Sequence, residues 1–270
     1  MSHKPIAQNN STKQMTQTKI SKQLTLAQIS DSHLFAERNG LHYQANVFQN
    51  LKNVLLVIKS QPLIDVIVFT GDLTQDHTEE SYQLFVQAFE ECEITTPVYY
   101  VAGNHDEPQL LNRYLSNAPF VQESLIESND WQVLLLESKS ATPAGVFSKA
   151  QGDSASRVID PAKSQLVLMH HHAVDAGFFI DQHGLINKAE FQNFLTAYPS
   201  IKAIGCGHIH QALTLPVKLP TRTINLYSCP ATSIQFDINA QTAKSNGQPP
   251  GYRIFTLADN SQITSKVFYV

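Results

Sequence analysis

The sequence predicts an α/β protein in which two β-sheets form a sandwich and α-helices flank them. Three observations favour this fold class. Apolar runs alternate with segments of helical periodicity in the first half of the chain, the carboxy-terminal third is rich in short strand-like runs, and no internal repeat is present. We expect polar residues that follow the apolar runs to share one edge, because the carboxyl ends of parallel strands lie together.

The first predicted elements are a strand, a helix and a second strand. "LTLAQIS" (24–30) is a short apolar strand, and "DVIVFT" (65–70) is a β-branched run typical of a strand buried on both faces. Thr78 is the predicted N-cap of a further helix with acidic residues in its first turn. Apolar residues at helical spacing define the helix between the two strands: Val47, Leu51, Val54, Leu55 and Ile58.

The rest of the chain continues this alternation and then becomes richer in strands. The predicted strands are "PVYYVAG" (97–103), "WQVLLLE" (131–137), "QLVLMH" (165–170), "KAIGCG" (202–207), "TINLYS" (223–228) and "YRIFTL" (252–257). Phe191, Phe194, Leu195 and Tyr198 line a predicted helix. Residues 138–164 hold small and polar residues and two prolines, so we expect a long loop with one short helix.

Length and composition limit the architecture and the partners. The 270 residues, 42% of them hydrophobic, suffice for one sizeable core, and we expect residues 23–270 to form a single domain. Residues 1–22 are rich in Gln, Asn, Ser, Thr and Lys, which predicts a disordered leader without the apolar segment of a secretory signal. No apolar run approaches the roughly 20 residues that span a bilayer. A net charge of −4 argues against a nucleic acid polymer or an anionic membrane as partner.

Cysteine usage points to a reducing compartment. Cys92, Cys206 and Cys229 are scattered and odd in number, so they form neither a disulfide framework nor a paired-cysteine zinc site. We therefore expect a cytoplasmic protein. The sequence leaves monomer and homodimer both open.

Five of the predicted strands end in side chains that can bind metal ions. A carboxylate such as Asp72 has two oxygens and can bridge two cations, and an amide such as Asn104 offers a neutral, hard oxygen donor. Asp31 and His33 are two residues apart, so we expect an extended chain to point both to the same side, where one segment can supply two ligands for one metal ion. The candidates, in chain order, are Asp31, His33, Asp72, Asn104, His105, His170, His208 and His210. Each alone is usually a turn residue, a helix cap or an ordinary histidine, but chance would rarely assemble all five motifs in order after apolar runs.

The stretch "SQLVLMHHHAVD" places three consecutive histidines where a buried strand emerges. One of them, all three or none can be a metal ligand, and the family resemblance described below matches His170, the first, to a ligand. His171 and His172 are left with two readings. They either orient a ligand or face the substrate, or they merely line the site.

The motifs D-x-H, G-D, G-N-H-D, H and G-H-x-H, in this order, resemble the calcineurin-like metallophosphoesterase superfamily. The resemblance runs from about Leu24 to the carboxy terminus. It is closest to the bacterial class III 3′,5′-cyclic AMP phosphodiesterases, through "ISDSHLF", "DQHGLIN", "CGHIHQ", "PATSIQFD" and "PPGYR". This resemblance implies a two-sheet sandwich with a metal site at the carboxyl ends of the strands.

The resemblance also implies roles for individual residues. It assigns Asp31, His33, Asp72 and His210 to one metal ion, and Asp72, Asn104, His170 and His208 to a second, so that Asp72 bridges. His105 is implied to be catalytic and to sit over the phosphate rather than to bind metal. The side chains implied to contact the substrate are His33, Asp72, Asn104, His105 and His210. Oxygen and imidazole donors suit manganese, iron, cobalt or zinc without ranking them.

The reaction implied is hydrolysis of cyclic AMP to 5′-AMP by a metal-activated hydroxide, with His105 giving a proton to the leaving 3′-oxygen. The substrate would be a small phosphodiester. A glycerophosphodiester, a 2′,3′-cyclic nucleotide or a phosphomonoester is the alternative substrate on the same metal core. A non-catalytic scaffold is the alternative from a different class, and it would be expected to lose ligands.

Overall fold

The computed structural model describes residues 23–270, and the predicted leader over residues 1–22 lies outside this range. Its strands are β1 (Gln23–Ile29), β2 (Leu41–His42), β3 (Ala45–Asn46), β4 (Val66–Phe69), β5 (Val98–Tyr100), β6 (Phe120–Val121), β7 (Leu125–Glu127), β8 (Trp131–Leu136), β9 (Ser164–Met169), β10 (Ile201–Cys206), β11 (Thr214–Lys218), β12 (Thr223–Ser228), β13 (Gly251–Ala258) and β14 (Ile263–Tyr269). Its α-helices are α1 (Val47–Ser60), α2 (Glu79–Glu91), α3 (Pro108–Tyr114), α4 (Lys149–Val158) and α5 (Lys188–Ala197), and Phe179–His183 form a 3₁₀ turn. None of the helices within residues 23–270 is long and apolar enough to cross a membrane.

Two six-stranded sheets dominate the described chain. Their strand orders are β14-β13-β1-β4-β5-β6 and β11-β12-β10-β9-β8-β7. In the first sheet β1, β4, β5 and β6 are parallel, while β13 and β14 add antiparallel strands at one side. In the second sheet β8, β9, β10 and β12 are parallel, and β7 and β11 close the two edges antiparallel. The predicted sandwich of two sheets is confirmed.

Alternate residues of the central strands serve different layers. In β4, Val66 and Val68 join a core shared with β8, β9 and β10 of the other sheet, whereas Ile67 and Phe69 pack on the side of α1 and α2. The face of the second sheet that points away from the first sheet is also covered by a helix, because β9 and β10 pack against α5 there. The prediction that 65–70 is a strand buried on both faces is therefore confirmed.

The helices begin where the sequence signals predict. The Thr78 side chain accepts a hydrogen bond from the Ser81 backbone N–H and caps α2, as expected. Asn46 caps α1 through the Gln49 N–H in the same way. Within residues 138–164 the expected short helix is α4, of which only Ala155 is buried, so hydrophobic periodicity could not locate it.

The topology brings the candidate residues to one edge of the sandwich. The first sheet contributes the segments that follow β1, β4 and β5, and the second contributes those that follow β9 and β10. All five strands belong to the parallel parts of the sheets. The site therefore lies where carboxyl ends of strands from both sheets converge.

Candidate metal centre

A first group of side chains surrounds the end of β1. The Nε2 atoms of His33 and His210 lie 3.1 Å apart, and His210 Nε2 is 3.3 Å from Asp31 Oδ1. His33 Nε2 is also 3.7 Å from Asp72 Oδ2. All four side chains are buried. They are the four residues predicted for one metal ion, and the structure brings them together.

A second group adjoins the first through the same carboxylate. His170 Nε2 lies 3.4 Å from Asp72 Oδ2, 3.1 Å from Asn104 Oδ1 and 3.2 Å from His208 Nδ1. These are the four residues predicted for the other metal ion. Asp72 Oδ2 is therefore close to both groups.

Backbone carbonyls set the orientation of two of the imidazoles. Nδ1 of His170 is 2.7 Å from the Thr70 carbonyl oxygen, and Nδ1 of His210 is 2.9 Å from that of Ile234. Each Nδ1 therefore carries a proton to donate, and Nε2 is directed into the centre. Burial works against a charge on His170, but the adjoining Asp72 carboxylate outweighs it and raises the pKa of His170 to about 9. Positive charge is therefore favourable at this point of the centre.

The backbone at the centre is strained. Five of the seven predicted ligands have positive φ angles: 57° at Asp31, 44° at His33, 59° at Asp72, 64° at His208 and 50° at His210. Left-handed backbone at a non-glycine residue costs about 1–3 kcal/mol and concentrates at functional sites. The extended backbone expected at Asp31 and His33 is thus wrong, although both side chains still lie beside His210. These segments turn back sharply after their strands, and that turn brings the side chains together.

Two glycines permit the close approach of these turns. A Cβ at Gly103 would lie 2.1 Å from Asp72 Oδ1, and one at Gly207 would lie 2.0 Å from the Ser30 hydroxyl oxygen. Both distances are too short for any side chain. The glycines of "GNHD" and "GHIH" are thus required by packing of the loops.

Asp106, the last residue of "GNHD", holds two of the loops together, a role that the sequence did not reveal. Its buried carboxylate accepts hydrogen bonds from the backbone N–H groups of Asp72 (2.8 Å), Leu73 (2.7 Å) and Gly103 (2.8 Å). Burial and the nearby Asp72 raise the pKa of Asp106 to about 6. The position of Asp72 therefore depends on Asp106.

His105 lies beside the two groups and is held through its backbone. Its N–H donates to Asp72 Oδ1 (2.9 Å), its carbonyl oxygen is 2.9 Å from His77 Nδ1, and its ring stacks on His77 at 5.6 Å between centroids. The Nδ1 atom of His105 has no hydrogen-bond partner within the described chain. Burial lowers the pKa of His105, although Asp72 opposes this shift.

The other two histidines of the run have different surroundings. His171 Nδ1 is 2.8 Å from the Ser138 hydroxyl and its Nε2 is 3.0 Å from the Pro143 carbonyl oxygen, so neither nitrogen is free for a metal ion. His172 Nε2 is 3.2 Å from Asp181 Oδ1, and its ring stacks on His208 at 5.7 Å. Both rings pack against predicted ligands, which favours the reading that they orient those ligands.

A cavity of about 390 Å³ opens beside the two groups. All five residues predicted to contact the substrate line it, namely His33, Asp72, Asn104, His105 and His210. The remaining walls come from Pro143, His208 and the segments 179–183 and 236–243. This volume falls in the range of about 300–1,000 Å³ typical of small-molecule sites.

The sequence profile of the calcineurin-like phosphoesterase family matches residues 24–212, which contain every predicted ligand. The chain belongs to this family. Two solved structures share the fold of this chain. A dimetal phosphatase from Danio rerio is similar at a TM-score of 0.62 with 12% identity, covering 91% of this chain and 98% of that one. A purple acid phosphatase from yellow lupin gives 0.55 with 13% identity, covering 92% and 54%.

Curated relatives of this calcineurin-like phosphoesterase are much closer in sequence. A Colwellia psychrerythraea protein named "Probable cyclic nucleotide phosphodiesterase" is 49% identical over 88% of this chain and 91% of its own length. The Haemophilus influenzae protein named 3′,5′-cyclic adenosine monophosphate phosphodiesterase CpdA is 33% identical over 88% and 86%. The Escherichia coli K12 protein of the same name is 31% identical over the same shares.

The donor set of this calcineurin-like phosphoesterase fits divalent metal ions. The Nε2 atoms of His33 and His210 face each other at 3.1 Å, and the carbonyl contact of His210 Nδ1 leaves its Nε2 with a lone pair. Closely spaced lone pairs of nitrogen and carboxylate oxygen repel each other unless a proton or cation lies between them. Two groups made only of predicted ligands have donor atoms within 4.8 Å of one another, namely Asp31, His33 and His210, and Asp31, Asp72 and His170. Two further groups of this kind include His105 or His171, whose nitrogens have other surroundings. Imidazole, carboxylate and amide donors without thiolate suit the transition metals predicted above.

Proposed function

We propose that this protein is a phosphodiesterase that binds two transition metal ions and hydrolyses 3′,5′-cyclic AMP to 5′-AMP. The observation that carries the proposal is the convergence of two donor groups on Asp72 Oδ2 at the floor of a cavity of small-molecule size. The names of the relatives at 49%, 33% and 31% identity supply the substrate class. The complete donor set argues against a scaffold that has lost catalysis.

One metal ion would be held by Asp31, His33 and His210. The other would be held by Asn104, His170 and His208, and Asp72 would serve both ions. Bound cations would offset the negative charge of a phosphodiester and lower the pKa of water. No side chain of the centre supplies both effects alone. Asn104 adds no negative charge, so the centre keeps more attraction for an anion than a carboxylate there would leave. Manganese, iron, cobalt and zinc all remain compatible with these donors.

His105 is proposed to donate the proton that the leaving 3′-oxygen needs. The contacts of its backbone with Asp72 and His77 hold the ring at the cavity wall. Burial keeps the imidazole neutral in the absence of substrate, because its pKa is lowered. An anionic diester within about 4–6 Å favours the protonated form, so substrate binding itself would charge the donor.

A substrate panel on manganese-loaded protein tests this proposal. The panel contains cyclic AMP, cyclic GMP, 2′,3′-cyclic AMP, glycerophosphocholine and 4-nitrophenyl phosphate, with products separated by chromatography. We expect cyclic AMP to give 5′-AMP and to be the best substrate. Turnover of glycerophosphocholine without turnover of cyclic AMP would overturn the substrate assignment and leave the family assignment intact.

The number of metal ions has its own measurement. Elemental analysis after reconstitution should approach two ions per chain, and Asp72→Ala should lose both because Asp72 is the shared donor. Asp153→Ala is the matched control, since Asp153 only pairs with Lys149 on the surface. Full activity with one ion per chain would contradict a two-metal centre.

The three cysteines are free and buried, which supports the proposed cytoplasmic location.

A further inference from the structure

One wall of the cavity is formed by the 3₁₀ turn Phe179–His183, which contributes Phe179, Ile180, Gln182 and His183 to the lining. The turn supplies both an apolar surface and a polar amide. The Phe179 ring packs edge to face on Phe236 at 5.2 Å, and Phe236 stacks on His210 at 4.0 Å. The apolar part of this wall therefore contacts the predicted metal ligand His210 through Phe236.

The turn is also anchored to the centre through its acidic residue. The Asp181 carboxylate accepts hydrogen bonds from the N–H groups of Ala176 (2.7 Å) and Gly177 (2.8 Å) and lies 3.2 Å from His172 Nε2. His172 in turn stacks on His208 at 5.7 Å. The turn thus lies over a buried histidine whose ring nitrogens make no hydrogen bond within the described chain and whose ring stacks on a predicted ligand.

The residues that follow the turn tighten this anchor. A Cβ at Gly184 would lie 2.7 Å from His172 Nε2, so the backbone passes directly over the imidazole. The Leu185 N–H donates to the His172 carbonyl oxygen at 3.0 Å. A wall held at both ends is preorganised, and a preorganised wall selects a ligand at a lower cost in conformational entropy.

Gln182 is the polar group that this wall offers to a ligand. It is exposed, and its side-chain amide has no hydrogen-bond partner within residues 23–270. An amide presents one donor and one acceptor side by side, which matches the N6 donor and ring-nitrogen acceptor of adenine. An aromatic ring such as that of Phe179 supplies the flat apolar surface on which a base stacks.

We propose that the turn Phe179–His183 is the base-binding wall of the cavity, with Gln182 as the residue that selects adenine and Phe179 as the stacking surface. This inference rests on the proposed function. In this arrangement His172 lies beneath the turn, between Asp181 and the predicted ligand His208.

Gln241 is the competing amide, since it also lines the cavity. It lies on a segment of exposed residues closed by the Asp237 N–H bond to Lys244 and by the Tyr43 hydroxyl bond to the Ala243 carbonyl. This segment also contacts predicted ligands, because Phe236 stacks on His210 and Tyr43 packs on His42, which stacks on His33. Gln182 is preferred because it lies in the same short 3₁₀ turn as Phe179, so one turn supplies both the amide and the stacking ring.

The test compares Gln182→Glu and Gln182→Ala with the matched variants Gln241→Glu and Gln241→Ala. For each protein, kcat/KM is measured with cyclic AMP, cyclic GMP and the base-free diester bis(4-nitrophenyl) phosphate. A carboxylate only accepts hydrogen bonds, so it opposes the adenine acceptor and suits the N1–H and N2–H donors of guanine. Gln182→Glu should lower the cyclic AMP to cyclic GMP ratio of kcat/KM by about tenfold to a hundredfold.

Gln182→Ala should lower kcat/KM for cyclic AMP about tenfold relative to the base-free diester, and the Gln241 variants should alter neither ratio by more than about twofold. The assignment would be overturned if the Gln182 variants left both kcat/KM ratios unchanged, that of cyclic AMP to cyclic GMP and that of cyclic AMP to the base-free diester. It would also be overturned if Gln241→Glu produced the same shift as Gln182→Glu. Wild-type protein that hydrolyses the base-free diester but no cyclic nucleotide would instead overturn the proposed function, and this inference with it. Because Gln182 is exposed, the variants should fold, and their thermal melting checks this.

Discussion

Gly103→Ala tests whether the position of Asp72 depends on the close approach of two loops. The added Cβ would lie 2.1 Å from Asp72 Oδ1 and 2.2 Å from its backbone nitrogen, whereas real contacts stay beyond 3.0 Å. The loops must separate by about 0.9 Å, the difference between these distances. Gly103 and Asp72 both donate to the Asp106 carboxylate, so the separation also stretches that pair of hydrogen bonds.

The magnitude follows from the size of this displacement. Overpacking of a closely fitted site costs about 1–3 kcal/mol of unfolding free energy. Misplacement of catalytic groups by about 1 Å can cost about a hundredfold in rate. We therefore expect Gly103→Ala to lower kcat on bis(4-nitrophenyl) phosphate about a hundredfold, to reduce metal content, and to lower the free energy of unfolding in urea by about 1–3 kcal/mol.

The matched control is Gly152→Ala. Gly152 lies inside α4, where a Cβ would first meet the edge of the Phe147 ring at 3.1 Å, well away from the centre. The gain of about 0.5–1 kcal/mol in helix propensity roughly offsets that tight contact. This variant should keep its activity and metal content. Gly103→Ala with wild-type activity and two ions per chain would refute the claim that the loop contact positions Asp72.

The remaining predictions concern single side chains. His170→Ala should lower metal content and activity together. His171→Ala should keep the metal, as measured by elemental analysis, but its free energy of unfolding in urea should fall by about 1–3 kcal/mol because two hydrogen bonds are lost. Metal loss from His171→Ala would contradict this prediction. His105→Ala should keep both ions, and its kcat on cyclic AMP should fall about 10²–10⁴-fold. Its kcat on bis(4-nitrophenyl) phosphate should fall much less, because that leaving group needs no proton. Equal losses on the two substrates would instead indicate that His105 stabilises the charge of the phosphate. Asp106→Ala leaves four buried N–H groups unpaired and should cost about 3 kcal/mol or more in urea unfolding, against at most about 1 kcal/mol for the surface variant Asp153→Ala.

Local pattern was sufficient to predict most of the fold. The helical spacing of the apolar residues in 47–58 reflects one face packed on a sheet, and the β-branched run 65–70 reflects a strand covered on both faces. The helix α4 shows the limit of this reasoning. It buries only Ala155, so its sequence carries no apolar face, and its position within 138–164 could not be predicted.

Residue type and order along the chain by themselves determined which side chains collect at the centre. Carboxyl ends of parallel strands share an edge, so Asp72 and His170, on different sheets, were expected to meet. The geometry that brings them together could not be derived in this way. The extended backbone expected for Asp31 and His33 is replaced by left-handed turns, because the loops must reverse direction within a few residues of each strand.

Only the tertiary structure decided how the three consecutive histidines divide their work. Their sequence context is nearly the same, but a carbonyl contact turns Nε2 of His170 into the centre, while Ser138 and Pro143 occupy both nitrogens of His171. His172 faces Asp181 in the cavity wall. These partners are distant in the chain, and the orientation of an imidazole depends on which groups the fold places around its two nitrogens. No local pattern contains that information.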